Sequence, residues 1–211
     1  MAKRFRTYRG RFAAAVGAAV AAALLVVPVA GADLGLTQAV LPNCGPTIYP
    51  FAQFGDPNAY YSFPNNGFEN GSTSWTLTDG ASVGKGNEPW NVNGSGKSSL
   101  TVPAGASAAS PLVCINLLAP DWRMFARSNA ANGALHAQIV FYGVTGNVTG
   151  ILNVADLNPA GYSAWQPTST ISSLLALPLL TRYAQLRLNS NATSGSWQVD
   201  DIFVDPWASR G

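Results

Sequence analysis

The strongest chemical demand in the chain comes from two adjacent carboxylates, Asp200 and Asp201, inside the apolar run Trp197 to Asp205. Strand alternation puts Asp200 with Ile202 and Val204 on one face, and Asp201 with Trp197, Val199 and Phe203 on the other. Whichever face turns to the core, one carboxylate goes with it. A buried carboxylate must be neutralised, paired or bound to a metal. The other reactive residue types form no comparable pattern. His136 is the single histidine and alternates onto the polar face of a strand beside Gln138. No serine sits in a Gly-x-Ser-x-Gly elbow, and no spacing supports a Ser-His-Asp triad. Glu69, Glu88, Asp121 and Asp156 are the carboxylates from which a glycoside-hydrolysing pair would have to be drawn, and only two of them are glutamates. Gly94-Ser95-Gly96-Lys97-Ser98 ends like a phosphate loop but lacks the first glycine, so it reads as a hairpin turn. The expectation is a non-enzyme.

The elements that must hold the carboxylates read as β throughout. From residue 65 on, short alternating segments are punctuated by Gly, Asn, Ser and Pro. They are Ser74–Leu77 with Trp75 inward, Val83, Trp90–Val92, Ser99–Val102, Pro111–Leu118, Trp122–Arg127, Leu135–Tyr142, Val148–Val154, Thr181–Asn189 and the final run. This pattern predicts an all-β sandwich or barrel. Residues 107–111 fit a loop or an edge, and 170–180 a short helical turn or an apolar cap. Pro42, Pro46, Pro50, Pro57 and Pro64 make 33–64 an extended arm, whose aromatics Tyr49, Phe51, Phe54, Tyr60, Tyr61 and Phe63 must pack on something.

The start of the chain is a different material. Lys3, Arg4, Arg6, Arg9 and Arg11 precede an alanine-rich apolar segment, Phe12 to Val29, and then Ala30-Gly31-Ala32. This is the pattern of a secretory signal peptide, with a retained membrane anchor as the alternative. The chain carries 12 Lys plus Arg and 10 Asp plus Glu; with the five basic residues of 1–32 removed, seven face ten, a net charge of −3. Such a mature chain has no basic surplus for nucleic acid and no later stretch of about 18 apolar residues to span a membrane. Cys44 and Cys114, an even pair in an exported chain, predict a disulfide. It would close a loop of about 70 residues, worth about 4 kcal/mol by the chain-entropy argument; two free buried cysteines are the alternative. The resulting domain map is 1–32 signal peptide, 33–64 arm, 65–205 sandwich and 206–211 tail.

Asn66-Gly67-Phe68-Glu69-Asn70-Gly71, followed by Trp75, resembles the first strand of galactose-binding-like sandwiches, a group that includes family 4 carbohydrate-binding modules. Trp197 to Val204 resembles their last strand. The resemblance implies a jelly-roll β-sandwich whose first and last strands are neighbours. It also implies a structural calcium between them, held by Glu69 and by Asp200 or Asp201 with nearby carbonyls; the other reading has the aspartates accept hydrogen bonds from loop amides or an arginine. Calcium's preference for six to eight oxygens suits the first reading. Asp200 is the expected ligand of the two, unless a β-bulge reverses the faces.

Aromatic platforms with polar rims bind sugars. Trp90, Trp122, Tyr162 and Trp165 are the candidates, each beside polar residues or in a loop. The expected function is an exported, extracellular, non-catalytic module that binds polysaccharide or cell-surface glycan. The alternative is a structural or adhesion protein of the envelope acting through a protein partner.

Overall fold

The computed structural model of the chain describes residues 45–115, 120–173 and 181–206, all within one compact unit. The expected signal peptide, the arm before residue 45, the leucine-rich 174–180 and the tail beyond 206 lie outside them. So do Cys44 and the side chain of Cys114, and with them the expected disulfide.

The chain is all-β, with two antiparallel sheets packed face to face. One sheet runs in the order β1 (Thr47–Ile48), β2 (Tyr60–Ser62), β14 (Ser196–Pro206), β5 (Ser98–Pro103), β4 (Ser82–Lys85). β8 (Pro120–Ser128) also pairs with β14 and carries β11 (Gln166–Pro167) and β12 (Ile171–Ser172). The other runs β10 (Val148–Leu157), β9 (Leu135–Gly143), β13 (Thr181–Ser190), β6 (Ser107–Ala109), β3 (Thr76–Thr78), with β7 (Val113–Cys114) on β13. Among the described residues no helix is long and apolar enough to cross a membrane.

Period-two alternation explains which side chains meet. Leu135, Ala137, Ile139 and Phe141 of β9, Ala184, Leu186 and Leu188 of β13, and Trp122, Met124 and Ala126 of β8 all enter one core between the sheets. The opposite face of β8 sends Phe125 to a second cluster with Phe51, Tyr60, Trp165 and Phe203. The described part of the arm, residues 45–64, is thus part of the sandwich. β2 pairs with β14 through Tyr61↔Val204 and Ser62↔Phe203, and Phe51 stacks on Phe125 at 5.0–5.6 Å from Tyr60, Phe125 and Phe203. Arg123 lies over Phe51 and pairs with Asp56 at 2.7 Å.

Two expected segments fold differently. Residues 66–71 form consecutive turns in place of a strand: Phe68 N donates to Asn65 O and Gly71 N to Phe68 O, with φ of 54° at Asn65 and 59° at Phe68. Trp90–Val92 also turns, because the Glu88 carboxylate accepts from the amides of Trp90 (2.5 Å) and Val92 (2.7 Å), leaving Asn91 at φ 52°.

Candidate functional site

β14 is flanked by β8 along one side. On the other side it is served end to end by β5, pairing Ser196–Val199, and β2, pairing Phe203–Val204. Residues 200–202 fall in the gap. There the β8 register slips between Asp200 and Phe203, and Asp201 takes φ 45°. This bulge resets the alternation. Trp197 and Val199 face the main core, Ile202 and Val204 face it again, and Phe203 points to the second cluster. Both aspartates become buried, Asp200 at 0% and Asp201 at 3% exposure. The strict alternation expected from sequence allowed only one.

The gap is filled by the 63–68 turns and the loop after β4. Phe63 N donates to Ile202 O and Ile202 N to Asn66 O. Glu88 N donates to Asp200 Oδ2 at 3.0 Å, and Asp201 N to Asp200 Oδ1 at 2.9 Å. A methyl placed on Gly67 would stand 2.8 Å from Asp201 Oδ1 and 3.7 Å from Asp200 Oδ1, so the missing side chain is what lets the turn close over both carboxylates. Burial, then the neighbouring Asp201 charge, pushes Asp200 up to about 8. Burial, then the charge of Glu88 and a hydrogen bond with it, pushes Asp201 up to about 7. Among the described residues the ion pairs are Arg123–Asp56 and His136–Asp156, and neither serves this cluster. The buried Asn66 Nδ2 also has no partner, while Asn66 Oδ1 accepts from Asn93 Nδ2 at 2.7 Å.

Of the three expected metal ligands, Asp200 and Asp201 therefore converge. Glu69 is exposed; its Oε1 accepts from the amides of Lys97 (2.7 Å) and Ser98 (2.8 Å), and its charge still acts on Asp201. Glu88, 1% exposed, is the buried carboxylate that sequence reasoning did not place here. Its loop is brought in by β4 pairing with β5, a contact that no local pattern announces. The donors are all hard oxygens, which fits calcium in kind. Among the described residues no three acidic, His or Cys side chains form a metal-holding group, so carbonyl oxygens would have to complete any shell.

The four aromatic candidates do not form one platform. Trp122 is 1% exposed and sits in the inter-sheet core, its Nε1 donating to Ser173 Oγ at 3.1 Å. A ring enclosed on both faces offers nothing to a ligand in solvent, because β8 alternation turns it inward. Tyr162 is half-buried with its ring 5.7 Å from Trp197. Trp165 is 9% exposed beneath Arg127, whose guanidinium carbon stands 5.2 Å from the ring centre. Trp90 is half-buried against Phe54 and Phe125.

The outer face of the second sheet carries what the sequence reading did not assemble. Register aligns Asp156, His136, Asn189, Ser107 and Thr78 in one row across five strands. Asn153, Gln138, Arg187, Ala109 and Thr76 form the next. Tyr183 and Tyr142 are paired neighbours further along. Arg187 donates through Nε to Gln185 Oε1 (3.0 Å) and through Nη2 to Tyr142 OH (3.3 Å), and Tyr142 OH donates to Gln185 Oε1 (3.3 Å). Gln138 Nε2 donates to Asn153 Oδ1 at 3.0 Å, and His136 pairs with Asp156. A groove of about 360 Å³ runs over Thr76, Ser107, Ala109, Gln185 and Arg187. Thr181–Asn189 was legible as a strand in the sequence; which strands pair with it was not.

No protein-family model and no curated protein matches the chain. Solved structures are similar to parts of the chain at low identity. The enzymatically active domain of bacteriophage CBA120 tailspike protein 4 is 17% identical with a TM-score of 0.46, over 68% of this chain and 21% of that one. The CBM22-1 xylan-binding domain of Paenibacillus barcinonensis Xyn10C is 16% identical with a TM-score of 0.48, over 66% and 90%. TmCBM61, solved with β-1,4-galactotriose, is 13% identical with a TM-score of 0.43, over 69% and 99%. The chain spans about a fifth of the tailspike domain and most of the two modules.

Proposed function

We propose that the chain is an exported, non-catalytic module that binds glycan on the outer face of its second sheet. One observation carries this reading: in-register rows of amide, guanidinium and hydroxyl groups beside a tyrosine pair, around a groove of about 360 Å³. Small ligands occupy pockets of about 300–1,000 Å³, and planar polar side chains match sugar hydroxyls. Small residues at Thr76, Ser107 and Ala109 leave room above the sheet, while Tyr183, 42% exposed, presents a ring two residues before Gln185 on the same strand. The test is an insoluble-polysaccharide pull-down or glycan array with wild type, Tyr183→Ala and Arg187→Ala. Saturable binding that weakens about tenfold or more in both supports the reading. Binding unchanged in both, but lost in Trp90→Ala, moves the site to the half-buried ring of the second cluster.

A structural calcium belongs to the same proposal. Asp200 and Asp201 would supply its buried carboxylate charge, with Asn66 and the 66–68 turn beside them. Bound there, it would neutralise the cluster and clamp the 63–68 turns to β14. With no cation, the hydrogen bond between Asp201 and Glu88 needs a proton on one of them.

The adhesion alternative has one observation in its favour. β10 is an edge strand of ten residues with Val148 and Ile151 exposed, next to exposed Val144. Such an edge can pair with another chain. Concentration-dependent association abolished by Ile151→Lys, with no glycan bound, would favour it.

A further inference from the structure

We infer that a second site, on the first sheet, takes the carboxylate of an acidic sugar. It is centred on Arg127 and is separate from the glycan face proposed above. A pocket of about 220 Å³ is lined by Arg127, Ser128, Asn129, Ser163, Ser196 and Gln198. Ser128, Asn129 and Ser163 also line an adjoining groove of about 590 Å³ between the 128–133 and 158–163 loops, so the two are continuous.

The hydrogen-bond directions give the pocket its chemistry. Arg127 Nε–H can only donate, so the Gln198 atom it meets is Oε1 and the free end of that amide is Nε2. The Ser196 backbone N–H can only donate, so the Asn129 atom it meets at 2.7 Å is Oδ1 and the free end is Nδ2. Ser196 Oγ donates to the same Oδ1 at 3.2 Å. Both amide oxygens are thus consumed within the protein, and each lining amide is left with its NH₂. The two Nη groups of Arg127 make no hydrogen bond or ion pair among the described residues, and Trp165 supports the guanidinium from one side. One guanidinium and two NH₂ groups make the lining rich in donors beside the hydroxyls of Ser128, Ser163 and Ser196, which suits an oxyanion. The planar guanidinium matches a carboxylate in a two-point contact.

The groove that continues from the pocket favours a sugar as the bearer of that carboxylate. Its walls, Asn129 to Gly133 and Asn158 to Ala160, set three asparagines among alanines, a glycine and a proline; the amides can meet ring hydroxyls, and no wall residue is large enough to build a deep socket for a peptide side chain. The ligand class is therefore a uronic-acid-containing oligosaccharide, its carboxylate at Arg127 and its next ring in the groove.

The test measures binding of trigalacturonate and of its methyl ester by calorimetry to wild type, Arg127→Gln, Asn129→Asp and Arg187→Ala. Asn129→Asp keeps the oxygen that Ser196 needs, so it preserves the loop while replacing a donor with a negative charge. The acid should bind, the ester about tenfold more weakly or not at all, and both pocket variants should lose about tenfold or more. Acid binding that is lost in Arg187→Ala but kept in both pocket variants assigns the carboxylate to the second-sheet face and overturns this site, which separates the two faces. Equal binding of acid and ester overturns the proposal, as does unchanged affinity in both pocket variants. So does binding of a peptide with a free carboxyl terminus where trigalacturonate does not bind.

Discussion

Asp201 holds φ 45°, a left-handed backbone that costs a non-glycine residue about 1–3 kcal/mol. The strain accompanies a second cost, since Asp200 and Asp201 are both buried and both pushed above the ordinary carboxylate value of 3.8. Two unfavourable features at one residue make this a costly point of the fold, which the proposed cation would relieve. Asp201→Asn removes one negative charge from the cluster while keeping its shape. Without calcium at pH 8, its melting temperature should rise above wild type; with calcium added, wild type should gain stability and the variant should not. A wild-type melt indifferent to calcium would sink the cation reading. Gly67→Ala tests the same closure from the other side. Its methyl would stand 2.8 Å from Asp201 Oδ1, so the variant should lose about 1–3 kcal/mol in a denaturant melt.

At the scale of elements, the arm from Thr47 to Phe63 is held by pairing, stacking and one ion pair. The Arg123–Asp56 side chains are 9% and 13% exposed. Arg123 Nε also donates to Thr168 O at 2.9 Å, so one guanidinium ties the arm to β8 and to the segment after β11. Burial pushes Asp56 upward, but hydrogen bonds from Tyr60 and Arg123 outweigh it and hold the carboxyl below 3.8. Its contribution is therefore present above pH 3.8 and lost as pH falls through the lower folded value. Arg123→Ala should destabilise the chain by about 3 kcal/mol, because it leaves Asp56 unpaired beside the second cluster. It should also remove part of the acid sensitivity of wild type, read from melts between pH 2 and 5. The strands themselves were legible in sequence wherever alternation ran long, as in β9, β13 and β14. Trp90–Val92 looked like a strand by residue type, yet two amides there are bound by Glu88, and the segment turns. Side-chain capping of that kind follows no period.

For the whole molecule, the two ends of the titration range oppose each other. Asp200 and Asp201 have folded values of about 8 and about 7, above the unfolded 3.8. The folded state thus binds their protons more tightly, and their contribution is complete below pH 3.8 and lost as pH rises through 7 and 8. With Asp56 failing in acid, the cation-free protein should be most stable at about pH 4 and lose stability steadily from there toward about pH 8. Calcium should oppose that loss, with an effect that grows with pH because its ligands must be deprotonated. A melting temperature that climbs steadily from pH 5 to 8 in chelator would contradict the buried carboxylates. The sequence alone determined that the body would be β, that Trp75 would be inward, and that the Asp200–Asp201 pair would set a carboxylate in the core, since period-two patterning and the cost of burying charge are local properties of the chain. Tertiary structure decided the rest. It placed Glu88 beside the pair, aligned Gln185 and Arg187 with Tyr142, and turned Trp122 away from solvent, because strand order and bulge position depend on contacts between residues tens of positions apart, which no local period encodes.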